Sequence, residues 1–319
     1  MSQLLSVVVP VFNESAVLEE FHRQMSEVMR ATGCDYEMLY IDDGSSDDSA
    51  ARLSAIRQGD QRVAVIELSR NFGKEVALSA GLDHARGAAV IIIDADLQDP
   101  PELVHSFLRE WRSGYDVVYG RRSDRRGDSR MKKFTAKWFY RILNRLSNVE
   151  IPADAGDFRL LSRRAVDALT ALPERHRYMK GLYAWVGFEQ KAVDYVRQPR
   201  QAGHTKWSYW RLWNFALEGI TSFSEVPLKI ATYLGLLTSV VALTYGTFLL
   251  VRTVLWGNPV PGYPSLIIAV LFLGGVQLVC LGIIGEYLAR TYQETKARTL
   301  YLVKGYHPTG GGVAAHDGE

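Results

Sequence analysis

Residues 90–102 read VIIIDADLQDPPE, in which an apolar run leads directly into a segment with three aspartates. The run Val90–Ile93 is apolar and rich in β-branched side chains, which predicts an interior strand. In an open α/β sheet, ligands bind outside the carboxyl ends of the strands, so Asp94 and Asp96 are expected at the functional edge. An extended backbone across Ala95 predicts that both carboxylates share one face.

This pair of acids needs a neutralising partner, because two carboxylates on one face repel each other. Gln98 adds an amide oxygen two residues later, and such an oxygen set suits Mg²⁺ or Mn²⁺. We therefore predict that Asp94, Asp96 and Gln98 bind a divalent cation. The alternative is a helix N-cap, since the PPE that follows is typical of the start of a helix. For Asp99 we expect that role.

The first 200 residues alternate strand and helix patterns. Strand patterns occur at 4–12, 36–42, 63–68, 88–94 and 115–120, with amphipathic stretches between them at 16–30, 74–85 and 102–112. This alternation predicts an α/β fold with a doubly wound, mostly parallel sheet.

The composition of the 319 residues excludes several classes of protein. A net charge of +2 with 23% charged residues fits neither a disordered acidic chain nor a basic nucleic-acid binder, so no nucleic-acid partner is expected. Two cysteines, one of them in a very apolar segment, predict no disulfide framework and fit a reducing compartment. Met1 leads directly into a strand pattern without a basic n-region, so we expect no secretory signal.

Two long uncharged runs follow the alternating region. Ile230–Val251 has 22 residues and Ser265–Gly285 has 21. About 20 apolar residues cross a hydrocarbon core of roughly 30 Å, so both runs predict transmembrane helices, with buried core helices as the alternative. The connector carries only Arg252, whereas the flanks carry Lys229, Arg290, Lys296, Arg298 and Lys304. By the positive-inside rule, both ends face the cytoplasm.

Three motifs follow predicted strands in order: VVVPVFNE at 7–14, DDGS at 42–45 and DADLQDPPE at 94–102. In combination they resemble the family 2 glycosyltransferases, which use nucleotide-diphosphate sugars. Two spans after such a domain resemble the polyprenyl-phosphate glycosyltransferases, the group of dolichyl-phosphate mannose synthase and bactoprenol glucosyltransferase. The resemblance covers nearly the whole chain and implies a Rossmann-like nucleotide-diphospho-sugar transferase fold followed by two transmembrane helices.

The resemblance also implies roles for individual residues. The residues that it places around the nucleoside are Pro10, Phe12, Glu14, Ile41 and Asp43. It implies that Asp94, Asp96 and Gln98 hold a cation on the diphosphate, so that Asp94 also contacts the nucleotide and Asp96 acts in catalysis. Asp157 matches the position of a catalytic base, although an orienting role stays open because a lipid phosphate is already ionised at neutral pH. Phe12 departs from the family, in which tyrosine is common.

The acceptor is expected near basic residues. The segment 120–133 holds seven Lys or Arg against two Asp and follows the fifth strand, and we choose Arg122 and Arg130 for a lipid phosphate. The alternative is a solvated loop. The segment RQAGHTKW resembles the family segment that closes over the phosphates, with Arg200 and Lys206 as its cations. Aromatic residues from Trp207 onward predict an amphipathic helix in the headgroup layer.

These observations lead to one prediction of function with alternatives. The predicted divisions are a cytoplasmic glycosyltransferase domain at 1–206, an interfacial helix at 207–228, a transmembrane hairpin at 229–289 and a cytoplasmic tail at 290–319. We expect inverting transfer of a hexose, with UDP-glucose as the donor, to undecaprenyl phosphate on the cytoplasmic face of a bacterial inner membrane. The alternatives are another donor, such as GDP-mannose or a UDP-linked amino-pentose, or a non-catalytic scaffold. A homo-oligomer is expected, with a tetramer as one candidate.

Overall fold

The computed structural model of the chain describes residues 3–122, 155–175, 177–196, 224, 226–257 and 262–310. Within these residues the chain forms eight strands and eight helices. The strands are β1 Leu5–Val11, β2 Tyr36–Asp42, β3 Val63–Leu68, β4 Ala89–Ile92, β5 Val117–Arg122, β6 Ala155–Ser162, β7 Gln190–Tyr195 and β8 Val303–His307. The helices are α1 Leu18–Ala31, α2 Ser49–Gly59, α3 Lys74–His84, α4 Leu103–Arg112, α5 Arg163–Thr170, α6 Met179–Trp185, α7 Val226–Trp256 and α8 Tyr263–Thr295.

The strands form one mixed sheet in the order β7-β5-β6-β4-β1-β2-β3-β8. The pairs β1–β2, β1–β4, β2–β3 and β5–β7 are parallel, and β4–β6, β5–β6 and β3–β8 are antiparallel. The predicted α/β class with a mostly parallel sheet is therefore confirmed. β2 and β3 coincide with the predicted strands, whereas β4 ends at Ile92, before the acids begin.

Helices cover both faces of the sheet because its central strands are apolar on both sides. α1, α2 and α4 pack on one face, and α3, α5 and α6 pack on the other. Gly81 lets α3 lie close to β1, since a Cβ at this position would come within 2.3 Å of Val8 Cγ1. The close packing of α3 matters for the site, because α3 begins at the carboxyl edge of the sheet.

α7 and α8 form an apolar hairpin beyond the sheet. Residues 226–256 and 272–295 have the length and composition of membrane-crossing helices, and their apolar stretches are not buried. Exposure of these stretches argues against the alternative of two buried core helices. α7 has 31 residues, so at a rise of about 1.5 Å per residue it is longer than the roughly 30 Å of a hydrocarbon core. The end of α8 contacts the segment between α5 and α6, because Arg175 N donates to the Glu294 carboxylate at 3.0 Å.

The segment after α8 returns to the sheet, whereas the sequence predicted only a cytoplasmic tail at 290–319. β8 pairs with β3 in antiparallel register, and Gly310 N donates to Gln61 O at 2.8 Å. Residues 207–223 of the predicted interfacial helix lie outside the described residues, and 226–228 belong to α7. The predicted domain boundaries stay predictions.

Candidate active site

The carboxyl ends of three neighbouring strands form one cleft. β4, β1 and β2 are adjacent and parallel, so the segments that follow them meet at one edge of the sheet. The cleft measures about 200 Å³ and is lined by Pro10, Val11, Phe12, Glu14, Asp43, Lys74, Asp94, Ala95 and Asp96. Of the residues predicted to contact the nucleotide, only Ile41 is missing from this lining, because it is fully buried in the core.

The predicted cation ligands lie in a tight turn after β4 and not on an extended strand. Leu97 has a φ of 57°, in the left-handed region that leucine rarely adopts. Its side chain is buried, and Asp96 Oδ1 accepts a hydrogen bond from Gln98 N at 3.1 Å. The turn brings Asp94 and Asp96 to one cleft, whereas the sequence analysis expected an extended backbone to place them on one face. Backbone strain of this kind is typical of functional sites.

Lys74, the first residue of α3, is a cation of the cleft that the sequence prediction missed. Its Nζ donates to the Asp94 carboxylate at 2.7 Å and to Asp157 at 2.5 Å. Burial disfavours the charge of Lys74, but the two carboxylates outweigh this effect and raise its pKa. A signal was present in the sequence, because the helix dipole opposes a lysine in the first turn of a helix. An acidic partner from another segment offsets this unfavourable interaction.

Asp157, on β6, is held in its ionised form by lysines. Lys180 Nζ lies 3.9 Å from Asp157 Oδ1, in addition to the contact with Lys74. Burial opposes ionisation, but Lys74 and Lys180 keep the pKa of Asp157 below its usual range. A carboxylate with a lowered pKa is a weak proton acceptor. These surroundings favour the orienting role of Asp157 over that of a general base.

Glu75 and Arg159 lie behind these ion pairs and were not among the predicted residues. The Arg159 guanidinium stacks 3.6 Å from the centroid of the Tyr183 ring and donates to Gly156 O at 2.8 Å. Burial raises the pKa of Glu75 to about 8, and the charge of Asp157 acts in the same direction. This environment favours the neutral form of Glu75, which lessens the negative charge around Asp157.

Asp43 lines the cleft, but its carboxylate is bonded to the loop before α3. Its two oxygens accept hydrogen bonds from Phe72 N at 2.7 Å and from Gly73 N at 2.9 Å. Gly44 permits this approach, since a Cβ there would lie 2.6 Å from the backbone carbonyl carbon of Arg70. Asp43 therefore holds the loop that leads into α3, in addition to any contact with a nucleoside.

Arg122 ends β5 at the same edge of the sheet. It hydrogen-bonds the Tyr195 hydroxyl, and that hydroxyl donates to Asp99. Asp99 is thus tied to β7 and is not the N-cap of α4, which begins at Leu103. The other predicted acceptor contacts, Arg130, Arg200 and Lys206, lie outside the described residues.

The cleft fits a divalent cation bound through oxygen. Asp94 and Asp96 offer carboxylates, which are ligands that Mg²⁺ and Mn²⁺ take. Gln98, the third predicted ligand, is buried in the turn and is not part of the cleft lining. The ion pair with Lys74 shows that Asp94 accommodates a positive charge. Among the described residues, no three His, Cys, Asp or Glu side chains are grouped to hold a metal. A cation bound here would take its remaining ligands from phosphate oxygens and water, as Mg²⁺ often does.

Known proteins similar to this chain support the comparison of motifs. The profile described as glycosyl transferase family 2 matches residues 6–170, and the profile described as GtrB C-terminal hairpin matches residues 226–291. An uncharacterized glycosyltransferase from Synechocystis is 53% identical over 299 residues, which cover 94% of this chain and 94% of that protein. A prophage bactoprenol glucosyl transferase homolog from Escherichia coli is 47% identical over 300 residues, which cover 94% of this chain and 98% of the homolog.

A solved structure shares the fold. It is glucosyl-3-phosphoglycerate synthase from Mycobacterium tuberculosis in complex with Mn²⁺, uridine diphosphate and phosphoglyceric acid. The TM-score is 0.50 at 23% identity, and the match covers 69% of this chain and 76% of that chain. At this level of identity the likeness concerns the fold alone.

Proposed function

This chain belongs to glycosyl transferase family 2, and we propose that it transfers a glucosyl unit from UDP-glucose to a polyprenyl phosphate at the cytoplasmic face of a membrane. Family membership makes the chain a glycosyltransferase, an enzyme that transfers sugar. The donor, the acceptor, the cation and the membrane face are the parts that we propose.

One observation carries the proposal: Asp94 and Asp96 share a cleft at the carboxyl edge of the sheet. Sugar transfer from a nucleotide sugar expels a diphosphate, on which negative charge develops as the bond to the anomeric carbon breaks. A divalent cation supplies a Lewis acid for that charge. In our proposal Asp94 and Asp96 hold the cation, and Gln98 adds a neutral oxygen. Pro10, Phe12, Glu14 and Asp43 border the nucleoside.

A lipid phosphate suits the surroundings of Asp157. The second ionisation of a phosphate monoester has a pKa of about 6, so the attacking oxygen carries negative charge without a strong base. Asp157, with its lowered pKa, then orients the acceptor side of the cleft and does not take a proton. The phosphate oxygen forms the new bond to the anomeric carbon as the bond to the diphosphate breaks on the opposite face. This direct displacement inverts the anomeric centre.

Cations at the edge of the cleft would bind the acceptor phosphate. Arg122 is half-buried at the end of β5, and the charge of Asp157 acts on it. Its Nε is buried and has no hydrogen-bond partner among the described residues, which leaves a donor for an anion. From the sequence alone, Arg130, Arg200 and Lys206 join it in this proposal.

The relatives support the choice of substrates. Several of them are named bactoprenol glucosyl transferase, which names a lipid acceptor and a glucosyl group for those proteins. The synthase that shares the fold was crystallised with Mn²⁺ and uridine diphosphate. α7 and α8 support association with a membrane. The homo-oligomer stays a prediction.

A panel of radiolabelled nucleotide sugars tests the function. The purified chain is incubated with undecaprenyl phosphate, Mg²⁺ or Mn²⁺ and each labelled sugar, and the lipids are then extracted. We expect label in the lipid fraction from UDP-glucose, with loss of that label in excess chelator. If lipid is labelled from GDP-mannose or a UDP-linked amino-pentose and not from UDP-glucose, that sugar nucleotide is the donor instead. If none of the labelled sugars is transferred to lipid, the proposal is overturned and the non-catalytic scaffold is favoured.

A further inference from the structure

Lys74 uses a carboxylate that the proposed cation needs. Its Nζ lies 2.7 Å from Asp94, the residue that begins the DADLQ turn, and 2.5 Å from Asp157 on β6. The side chains of Asp94 and Asp157 are each 23% exposed and that of Lys74 is 39% exposed. Both ion pairs of Lys74 are therefore partly shielded from solvent. A divalent cation on Asp94 would lie within a few ångströms of the ammonium group, and the two positive charges would repel each other.

We propose that Lys74 is a positioning residue that competes with the divalent cation for Asp94 and keeps its bond to Asp157 when the cation binds. The inference rests on the proposed function for the identity of the cation. The geometry provides the second position, because Lys74 already contacts both carboxylates and can release Asp94 without becoming an unpaired charge. Asp157 would then hold the lysine beside the site of transfer.

The fold restricts the motion to the end of the side chain. Lys74 is the first residue of α3, and the preceding Gly73 has a φ of 99°. Asp43 holds this loop through the backbone N–H groups of Phe72 and Gly73. The backbone of Lys74 is therefore held in place, while the flexible stem of a lysine lets Nζ leave Asp94 and stay at Asp157.

The competition has a consequence for affinity. Asp94 and Asp157 would repel each other without a cation between them, and Lys74 supplies that cation from the chain itself. A metal ion must therefore displace Lys74 before the Asp94 carboxylate can bind it without this competing ion pair. Removal of Lys74 should strengthen metal binding, whereas removal of a lysine that does not contact Asp94 should change the affinity for the metal much less.

Titration of the full chain in neutral detergent with Mn²⁺ alone, followed by the electron paramagnetic resonance of free Mn²⁺, tests the inference. Without nucleotide present, Lys74→Met should bind Mn²⁺ roughly tenfold more tightly than the wild type, because a direct charged competitor has been removed. Lys180→Met is the matched control. Lys180 pairs with Asp157 at 3.9 Å, and no ion pair with Asp94 is found for it in the described part of the chain. Its removal should change the affinity less than about threefold, since only a more distant charge is lost.

Lys74→Arg guards against a general loss of structure. It keeps the positive charge at the start of α3 and should bind Mn²⁺ within about threefold of the wild type, because the competitor remains. The inference is overturned by a Lys74→Met variant that binds Mn²⁺ no more tightly than the wild type. It is equally overturned if Lys180→Met or Lys74→Arg gains as much affinity as Lys74→Met.

The titration separates this inference from the function. It uses neither nucleotide sugar nor lipid, so tighter Mn²⁺ binding by Lys74→Met would stand even if the wild type labelled no lipid. Conversely, the wild type could transfer glucose while Lys74→Met binds Mn²⁺ with unchanged affinity. That result would refute the competition and leave the proposed function intact.

Discussion

At the scale of the residue, Asp94 and Asp96 differ in their partners although one residue separates them. Asp94 pairs with Lys74, whereas Asp96 accepts the N–H of Gln98 within its own turn. A carboxamide at position 96 can still accept that hydrogen bond, but it carries no charge. The charge of Asp96 can therefore be removed with little change to the turn.

We expect Asp96→Asn to weaken Mn²⁺ binding and to lower sugar transfer by roughly ten- to a hundredfold, because a charged ligand becomes neutral. The unfolding temperature should stay within about 2 °C of the wild type, since the turn is kept. Mn²⁺ titration, lipid labelling and thermal unfolding measure the three quantities. Full transfer by the variant, or by the wild type in excess chelator, would refute the role of Asp96 as a cation ligand.

Arg122 and Arg121 are neighbours on β5 with different surroundings. Arg122 contacts Tyr195, whereas Arg121 pairs with Asp194 at 2.6 Å on the exposed side of the strand. If Arg122 binds the acceptor phosphate, Arg122→Ala should lower kcat/KM for undecaprenyl phosphate by roughly ten- to a hundredfold, with little change for the nucleotide sugar. Arg121→Ala is the control. Equal and small losses in neutral detergent would mean that only the total charge of the segment matters.

Asp116 gives a pH dependence of stability. It is buried and accepts hydrogen bonds from the Arg164 guanidinium and from Ser162 Oγ, the latter at 2.7 Å. Arg164 and Ser162 together lower the pKa of Asp116. A lowered native pKa adds stability above the unfolded value of about 3.9, and this stability is lost as the pH falls through the native pKa.

For Asp116→Asn we expect a loss of about 1 kcal/mol near pH 7, a modest value because Arg164 is largely exposed. The corresponding drop in unfolding temperature is about 2–4 °C. The difference from the wild type should shrink as the pH is lowered from 5 towards 3. Thermal unfolding of both proteins across this pH range measures the difference in unfolding temperature. A difference that stays constant with pH would contradict an origin in the charge of Asp116.

At the scale of the element, β8 closes the edge of the sheet that β3 would otherwise expose. Its register pairs Val65 with His307 and Glu67 with Gly305. The segment is also held at its ends, since Tyr301 donates its hydroxyl hydrogen to Asp83 at 2.8 Å and Arg57 donates to Pro308 O. An uncovered edge strand is prone to pairing with other chains. β8 therefore links the hairpin to the catalytic domain and protects β3.

Deletion of residues 299–319 should lower the unfolding temperature by roughly 5–10 °C, because several hydrogen bonds of about 1 kcal/mol each are lost together. It should also increase aggregation through the exposed edge of β3. Deletion of residues 311–319 alone keeps β8 and serves as the control, with no expected change. Thermal unfolding and light scattering measure both effects, and equal behaviour of the two truncations would show that β8 contributes nothing.

At the scale of the whole molecule, the hairpin of α7 and α8 brings the chain back to the sheet that the preceding residues form. α7 follows the catalytic domain in the chain, and β8 after α8 joins the same sheet as β1. Two crossings of a membrane bring a chain back to its original side, so the sheet that β8 completes is compatible with the hairpin prediction. The basic flanks of the hairpin favour the cytoplasm as that side.

Single cysteines test this topology after Cys34 and Cys280 are replaced by serine. A cysteine at position 258, in the connector, should react with an impermeant thiol reagent in intact cells. A cysteine at position 304, whose native lysine side chain is 69% exposed, should react only after permeabilisation. The reverse labelling would place the catalytic domain away from cytoplasmic nucleotide sugars and overturn the proposed orientation.

Local patterns in the amino-acid sequence were enough to predict most of the individual elements. The alternation of apolar patterns predicted the four parallel strands β1–β4 and the helices α1, α3 and α4, because those signals depend on neighbours in the chain. The uncharged runs likewise predicted the hairpin, and Asp94 and Asp96 were expected at a strand end. The family resemblance, which also rests on local motifs, indicated Pro10, Phe12, Glu14 and Asp43, which line the cleft.

The contacts between side chains that are distant in sequence became visible only in the folded structure. Lys74 contacts Asp157 across 83 positions of sequence, and Asp43 binds the backbone of Gly73 across 30. β8 joins β3 only after the hairpin has returned the chain. Periodicity reports which face of an element is buried, but it carries no information about the distant partner of a polar group. Those partners are selected when the sheet and its helices close, because a buried charge must then find an opposite charge.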